Sequence, residues 1–398
     1  MAREHRPAAA GANDRVTTLR QLRDCPEIFA ELQTLEQEGA GELAIQQRLR
    51  KQFPDAVVRA VVTLQELRRR AEPKFSRAAQ MWFDRQGFEQ ATGETVAIHK
   101  AHRFTRPTWD LCCGIGADAI AIAANVAVTA VDHDEATLLQ AEWNAHVYGV
   151  QDRFTPLLAD VTTVDPGDDL IHIDPDRRAG NRGRAVRLED YQPGPEFLDR
   201  MIAQRSGGAI KLSPASNFGG KFSGCEIELI SLHGECKEAT VWFGELAGEA
   251  PFRATVLPQG ATLAGDPFDF DPVIDPLGRY IYDPDPAIVR AGLVDALAVE
   301  VSLSRLDDAE EYLTSDTLVK TPFARAFEVL DVVPFKDKAL RGYFRAASFG
   351  QLEIKCRHVP VDASALRRKL RLDGSDAGVL IVARESGKAR GVVCRRCD

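Results

Sequence analysis

The stretch Asp110-Leu-Cys-Cys-Gly114-Ile-Gly116-Ala-Asp118-Ala-Ile-Ala-Ile-Ala, followed by Val126-Ala-Val-Thr-Ala-Val131-Asp132, decides the fold. Thr108–Cys113 reads as a short strand that runs into a glycine turn. A helix opens at about Ala117, and a second strand ends in the carboxylate of Asp132. Gly114 and Gly116 carry no Cβ, so the backbone there can turn sharply and lie against a ligand. The helix start then offers unpaired N–H groups to that ligand. Asp132 stands at the mouth of the second strand, where a carboxylate accepts both hydroxyls of a ribose. The pattern outlines a nucleoside-shaped site.

Two kinds of cofactor suit such a site. Gly114-x-Gly116-x-x-Ala119 matches the loose dinucleotide fingerprint. Asp110 separates the two, because a carboxylate four positions before the first glycine would repel a passing pyrophosphate. It suits a cationic amino-acid moiety, as in S-adenosylmethionine. Further on, Leu157-Leu158-Ala159-Asp160-Val161 ends a third strand with an acid placed for an adenine amine. Leu170-Ile171-His172-Ile173-Asp174-Pro175-Asp176-Arg177 ends a fourth strand in Asp-Pro-x-Arg. Acids at four successive strand ends could each be a solvated terminus, but their order after a glycine turn favours an S-adenosylmethionine pocket. The expected cofactor set is Asp110, Cys112, Gly114, Gly116 and Asp118, then Asp132 and His133, then Asp160 and Val161.

Around this core the chain alternates strand and helix at roughly 20-residue spacing, the mark of a parallel doubly wound sheet. Glu135–Tyr148 and Glu196–Gln204 read as helices, and Gly208–Leu212 as a fifth strand. Cys225–Leu232 and Glu235–Phe243 alternate across His233-Gly234 and read as a terminal antiparallel hairpin. Upstream, residues 1–18 are small and polar and are expected to be a disordered tail, with a helical domain over 19–104. That domain includes a helix starting at Asp55 after Pro54, an amphipathic helix over Lys74–Phe83, and a break at Gly87. The catalytic domain spans 105–248. Residues 249–319, rich in Asp-Pro pairs, read as a linker and extension with a helix over Ala287–Val299. Residues 320–398 read as a small α+β module: strands at Gly350–Lys355, Gly378–Ala383 and Arg390–Cys394, and a basic helix at Ser364–Leu370.

The 398 residues fit two or three domains. No run approaches the ~18 apolar residues of a membrane span, so no membrane partner is expected. The N-terminus lacks an apolar signal core. The eight cysteines are scattered, two of them adjacent in the cofactor turn, which suits a reducing, cytoplasmic compartment. The net charge of −9 conceals an asymmetry. Residues 1–106 carry +4, residues 107–319 carry −21, and residues 320–398 carry +8. A basic terminal module beside an acidic catalytic one suggests a polyanion held by the module, although a solvated cationic face has the same composition.

The chemistry centres on Asp174-Pro175-Asp176-Arg177. An acid and a proline carbonyl can accept the protons of an exocyclic amine and hold its lone pair toward a methyl donor, which is positioning more than acid–base work. Arg177 brings a guanidinium plane that can stack on a base. Methylation of a pyrimidine carbon would need a cysteine nucleophile beside the substrate; Cys112, Cys113 and Cys225 are poorly placed for it. Cys394-Arg-Arg-Cys397 has the spacing of half a metal site without a second pair, so no metal is assigned. His172 sits inside a strand and reads as packed.

Residues 107–176 resemble the class I S-adenosylmethionine-dependent methyltransferases. Asp110-Leu-Cys-Cys-Gly-Ile-Gly, Val128-Thr-Ala-Val-Asp132 and Ala141-Glu-Trp-Asn-Ala-His-Val-Tyr-Gly149 are similar to the RNA cap guanine-N2 methyltransferase branch. That branch has Pro-Pro-Trp where this chain has Asp174-Pro-Asp-Arg. Nearly the whole chain resembles bacterial class I methyltransferases with a C-terminal THUMP-like domain. That likeness rests on Phe88-Glu-Gln-Ala-Thr92, Ile173-Asp-Pro-Asp-Arg177, Gly234-Glu-Cys-Lys-Glu238 and Leu352-Glu-Ile-Lys-Cys-Arg357. The resemblance implies an α/β, Rossmann-like sheet with an N-terminal helical domain and a small THUMP-like module, and a module associated with RNA, especially tRNA. The resulting expectation is methylation of a purine exocyclic amine in structured RNA. The alternatives are a small-molecule or protein methyltransferase and a non-catalytic RNA-binding protein with a vestigial pocket. No oligomeric state is assigned.

Overall fold

The computed structural model describes residues 8–177, 187–218 and 220–397, which leaves Arg178, Arg182 and Arg184 outside the described residues. The chain divides into two compact units: residues 1–219 with 242–247, and residues 220–241 with 248–398.

The first unit opens with α1 (Ala8–Arg23), α2 (Glu27–Gln37), α3 (Glu42–Leu49) and α4 (Asp55–Ala71). Residues 8–18 are therefore helical and not a tail: Val16 and Leu22 are buried, and Leu22 joins Ile28, Leu32, Leu49 and Val61 in one core. Lys74–Phe83 is not a helix either. Its backbone is held by turns within the segment and by side chains from outside it. Arg68 Nε donates to Met81 O at 2.8 Å, and Asn144 both accepts from Trp82 N at 2.7 Å and donates to Trp82 O at 3.1 Å. The same Asn144 amide donates to Ile115 O at 3.1 Å, inside the glycine turn. Next come α5 (Arg85–Gln90), capped by Asp84, and α6 (Glu94–Ala101). Gly87 lies within α5 and does not break it; a Cβ there would come 2.4 Å from Ile115 Cγ2, so the glycine lets the helix pack on the turn.

The sheet of this unit follows. Its elements are β1 (Thr108–Leu111), α7 (Ala117–Ala123), β2 (Val128–Asp132), α8 (Glu135–Tyr148), β3 (Phe154–Leu158) and β4 (Leu170–Ile173). Then β5 (Asp176–Arg177) pairs antiparallel with β6 (Tyr191–Gln192), and α9 (Pro195–Gln204) leads into β7 (Gly207–Leu212). The strands lie in the order β7–β4–β1–β2–β3, all parallel. Their carboxyl ends are flush: Cys113 N donates to Val131 O, Asp174 N to Leu111 O and Ala159 N to Asp132 O, at 3.0, 3.1 and 3.0 Å. The chain runs outward from β1 to β3, then returns to β4 on the other side of β1. That reversal places the switch point of an open α/β sheet between β1 and β4, where ligands bind.

The second unit begins with β8 (Glu226–Leu232), β9 (Glu235–Gly244), β10 (Phe252–Leu257) and β11 (Ala261–Gly265). The last residues of β9, from Trp242, are counted with the first unit. His233 (φ 54°) and Gly234 (φ 78°) form the left-handed pair of a two-residue hairpin turn between β8 and β9, as their sequence suggests. Residues 249–319 are not a linker. They supply β10, β11, β12 (Tyr280–Pro284), α10 (Pro286–Arg290), α11 (Val294–Glu300), β13 (Ser304–Arg305) and β14 (Leu313–Ser315). Two of the Asp-Pro pairs that suggest a linker are a strand end, Asp283-Pro284, and a helix start: Asp285 caps α10 by accepting from Ala287 N, with Pro286 in the first helical position. The helix expected over Ala287–Val299 is split into α10 and α11, with Gly292 at φ 72° between them.

After β14 come β15 (Ala324–Pro334), α12 (Asp337–Ala346), β16 (Phe349–Cys356), α13 (Ala363–Lys369), β17 (Asp376–Glu385) and β18 (Lys388–Arg396). A seven-stranded sheet forms in the order β13–β14–β12–β15–β18–β17–β16. Leu340 and Phe344 of α12 and Leu366 of α13 pack with Leu380, Val382 and Val393 on one face. Val379, Ile381 and Ala383, the alternate residues of β17, join Ile281 and Phe327 on the other. Among the described residues no helix is long and apolar enough to cross a membrane.

Candidate active site

The turn after β1 is left-handed at three places: Cys112 (φ 65°), Gly114 (φ 56°) and Gly116 (φ 85°). A Cβ on Gly116 would come 3.1 Å from Ala141 Cβ, so that glycine is needed for the fit of α7 against α8. A Cβ on Gly114 would meet nothing within 4 Å, so the backbone there borders open space. The expected acids surround this turn. Asp132 accepts from Gly114 N at 3.0 Å and from Asp134 N at 2.9 Å. Burial pushes its carboxyl up, against those two N–H bonds. His133 beside it is exposed. After β3, exposed Asp160 accepts from Thr162 N and Thr162 Oγ1, which hold its carboxyl low, and Val161 is buried.

Asp110 is buried and lies 2.6 Å from His172 Nδ1, its register partner on β4. His172 is thus packed, as expected, but also paired. Asp110 Oδ2 and His172 Nε2 are buried without a hydrogen-bond partner among the described residues. Asp118 is placed differently from the expectation. One of its oxygens lies 2.8 Å from Lys100 Nζ and the other accepts from Thr92 Oγ1 at 2.6 Å, all buried. Burial would raise its carboxyl, but the Lys100, His172 and Lys211 cations outweigh that and hold it well below the usual range. Asp118 therefore fastens α6 to α7. The Cys112 and Cys113 thiols are pushed well above their ordinary value by burial and by the neighbouring carboxylates, which leaves them unsuited to nucleophilic work.

Beyond β4, Asp174 Oδ2 lies 2.7 Å from Lys211 Nζ, and Pro175 is buried. Exposed Asp176 accepts from Gln90 Nε2 at 2.7 Å, and Lys211 also donates to Gln90 O at 3.0 Å. The backbone of Arg177 is in β5; its side chain falls outside the described residues. Lys211 and Lys100 are given no role by the sequence, and Gln90 and Thr92 enter only as members of the Phe88–Thr92 signature. Lys211 carried a signal, being the lone charge in the apolar strand Gly207-Gly-Ala-Ile-Lys-Leu212. Among the described residues no group of His, Cys, Asp or Glu is placed to hold a metal ion.

The open space at Gly114, the unpartnered Asp110 Oδ2 and the acids at the ends of β1, β2 and β3 fit a cationic nucleoside. A family model described as RNA cap guanine-N2 methyltransferase matches residues 106–191, and one described as THUMP domain-like matches 324–396. A domain of unknown function matches 16–71. An uncharacterized S-adenosylmethionine-dependent methyltransferase of Mycobacterium tuberculosis, in strains CDC 1551 / Oshkosh and H37Rv, is 37% identical over 333 residues, covering 80% of this chain and 90% of its own. The crystal structure of a Porphyromonas gingivalis W83 protein, named as a methyltransferase, superposes with a TM-score of 0.76 at 20% identity, covering 94% of this chain and 99% of that one. That likeness extends the shared fold over both units. Sheet, glycine turn and relatives agree: the chain belongs to the class I S-adenosylmethionine-dependent methyltransferases with a C-terminal THUMP-like domain, and S-adenosylmethionine is its cofactor.

Proposed function

We propose that the protein methylates an exocyclic amine of a purine in structured RNA. In this reading Asp110, Gly114 and Gly116 face the methionine portion of the cofactor, with Cys112 in the same turn. Asp132 takes the ribose hydroxyls beside His133, and Asp160 with Val161 borders the adenine. When bound, the cofactor supplies an electrophilic methyl carbon, to which an acceptor lone pair bonds as the C–S pair returns to sulfur. Asp174 and the Pro175 carbonyl accept the amine protons and aim the lone pair. Asp176 shapes the turn through Gln90, and Arg177 is the candidate stacking partner for the base. The observation that carries this reading is the seating of Asp174 beside the cofactor turn: its main-chain N–H donates to Leu111 O, the last residue of β1.

An RNA acceptor is favoured by the matched RNA cap guanine-N2 and THUMP-like regions. It is also favoured by the cations of the second unit. Part of the +8 carried by residues 320–398 of that unit is used internally: Lys355 and Arg357 pair with Asp283, and Arg396 with Glu353. Lys338, Arg341 and Arg345 on α12 and Arg367 and Arg368 on α13 are exposed and form no ion pair among the described residues. The three on α12 share one helical face, and Lys369 of α13 pairs with Asp337 of α12 at 2.8 Å, so the two helices carry one cationic surface. All eight cysteines are free thiols, which agrees with a cytoplasmic setting. Incubation with labelled cofactor and total cellular RNA, followed by digestion to nucleosides, tests the proposal. Label in an N-methylated purine nucleoside is expected; label confined to protein or small molecules would replace this acceptor with another.

A further inference from the structure

We infer that Lys211 is the positioning residue of the methyl-acceptor turn, holding one oxygen of Asp174 and leaving the other to the incoming amine. The inference rests on the role given to Asp174 above and assigns a residue outside that reading. β7 is the neighbour of β4, with Ile210 opposite Ile173, so Lys211 and Asp174 follow side by side at the carboxyl edge. The Lys211 side chain is 13% exposed and that of Asp174 is 30% exposed, so neither ion is well solvated. An ammonium so little hydrated stays charged only against an anion.

The second bond distinguishes this pair from a tether that can swing. Lys211 Nζ also donates to Gln90 O, while the amide of Gln90 donates to Asp176. The carboxylates on both sides of Pro175 are thereby referred to one residue, the last of α5. A carboxylate with one oxygen fixed by an ammonium presents the other in a defined direction, which an acceptor amine needs for in-line attack.

Charge matters as much as direction. Burial pushes the Asp174 carboxyl up, Lys211 opposes that, Asp118 adds to the rise and His172 reduces it. Among the described residues the Cys112 thiol lies close enough to feel Asp174, together with Asp132, Asp110 and Asp176. A protonated Asp174 would donate to the acceptor nitrogen where it should accept from it. Lys211 opposes that rise and so favours the accepting form of the turn.

Wild type, Lys211→Met and Lys211→Arg are compared for transfer of label from S-adenosylmethionine to whole-cell lysate, with and without ribonuclease, from about pH 6 to about pH 9. At saturating cofactor, Lys211→Met is expected to be slower by roughly 10²-fold, with its acid limb moved to higher pH. Lys211→Arg should recover part of the rate and the original limb. Calorimetry with S-adenosylmethionine should give all three the same affinity, which also shows that they fold. A Lys211→Met protein with wild-type rate and limb overturns the inference. So does one that is slow with an unmoved limb and no recovery by arginine. Label insensitive to ribonuclease removes the RNA acceptor while Lys211 is still judged on the acceptor that remains. A wild type that labels nothing in either arm removes both.

Discussion

Gly114 donates its main-chain N–H to Asp132 at 3.0 Å, so the carboxylate that ends β2 also closes the turn after β1. Replacing Asp132 by alanine removes the proposed ribose acceptor and frees the turn. The dissociation constant for S-adenosylmethionine, measured by calorimetry, should rise by about 10²-fold, the worth of two charge-assisted hydrogen bonds at about 1.5 kcal/mol each. Asp132→Asn should fall between. An unchanged constant would remove Asp132 from the pocket.

The two glycines of the turn should respond differently. At Gly116 an alanine meets Ala141 and a left-handed φ together, so Gly116→Ala should lose roughly 1–2 kcal/mol or more in urea denaturation. At Gly114 the added methyl enters open space. Gly114→Ala pays only the left-handed penalty in stability, and its larger effect should be on cofactor affinity. Equal loss of affinity in both variants would contradict that division.

Lys100 and Asp118 form a buried ion pair at 2.8 Å. Lys100→Met strands a buried carboxylate and should cost about 3–5 kcal/mol. The double variant Lys100→Met/Asp118→Leu should recover much of that, because neither charge is then left alone. Asp118 titrates well below its ordinary 3.8, so its contribution is present above that value and is lost as pH falls through the folded one. The acid limb of the stability curve should therefore flatten in the double variant.

His172 has the opposite sign. Burial alone would depress its imidazolium, but the Asp110 and Asp118 carboxylates outweigh burial and raise it above 6.5. A raised value favours the protonated form in the folded state. The associated stability is present below 6.5 and is lost as pH rises through the folded value. Urea denaturation at successive pH values should show this decline in wild type and a flatter curve in His172→Phe. A wild-type curve that rises over the same interval would contradict the Asp110–His172 assignment.

The cationic surface on α12 and α13 makes a separate prediction for RNA. Charge reversal at Lys338, Arg341 and Arg345, or at Arg367 and Arg368, should weaken binding of total tRNA by at least about tenfold. Each lost phosphate contact should reduce the salt slope by roughly 0.7–0.9. Filter binding at several salt concentrations reads both. Loss of affinity without a change of slope would point to damage elsewhere.

The catalytic sheet was readable because each of its signals is local. A glycine turn, a short buried strand and a terminal acid lie within a few residues, and β2, α8 and the start of α7 fall where the pattern puts them. The hairpin at His233-Gly234 was readable for the same reason. What failed depended on distant partners. Lys74–Phe83 has apolar spacing that would suit a helix, yet its backbone is held by Arg68 and Asn144, from 13 and 62 residues away. The Asp-Pro run looked like a linker because proline and aspartate punctuate loops. Asp283, however, lies in β12, where Ile281, Tyr282 and Pro284 are buried, and pairs with Lys355 and Arg357, more than 70 residues later. Within the site, the acids were found because they end strands. Their cations were missed because Lys100 and Lys211 become meaningful only once the sheet brings them to the acids.

Asn144 makes three hydrogen bonds from a fully buried position: two to the backbone of Trp82 and one to Ile115 in the cofactor turn. The helices before residue 105 are for this reason no detachable accessory. A shortened protein beginning at the first catalytic strand would keep every acid of the pocket, yet expose a bare amide and the flank of the loop it braces. The smallest autonomous enzyme therefore starts well upstream of its own motif.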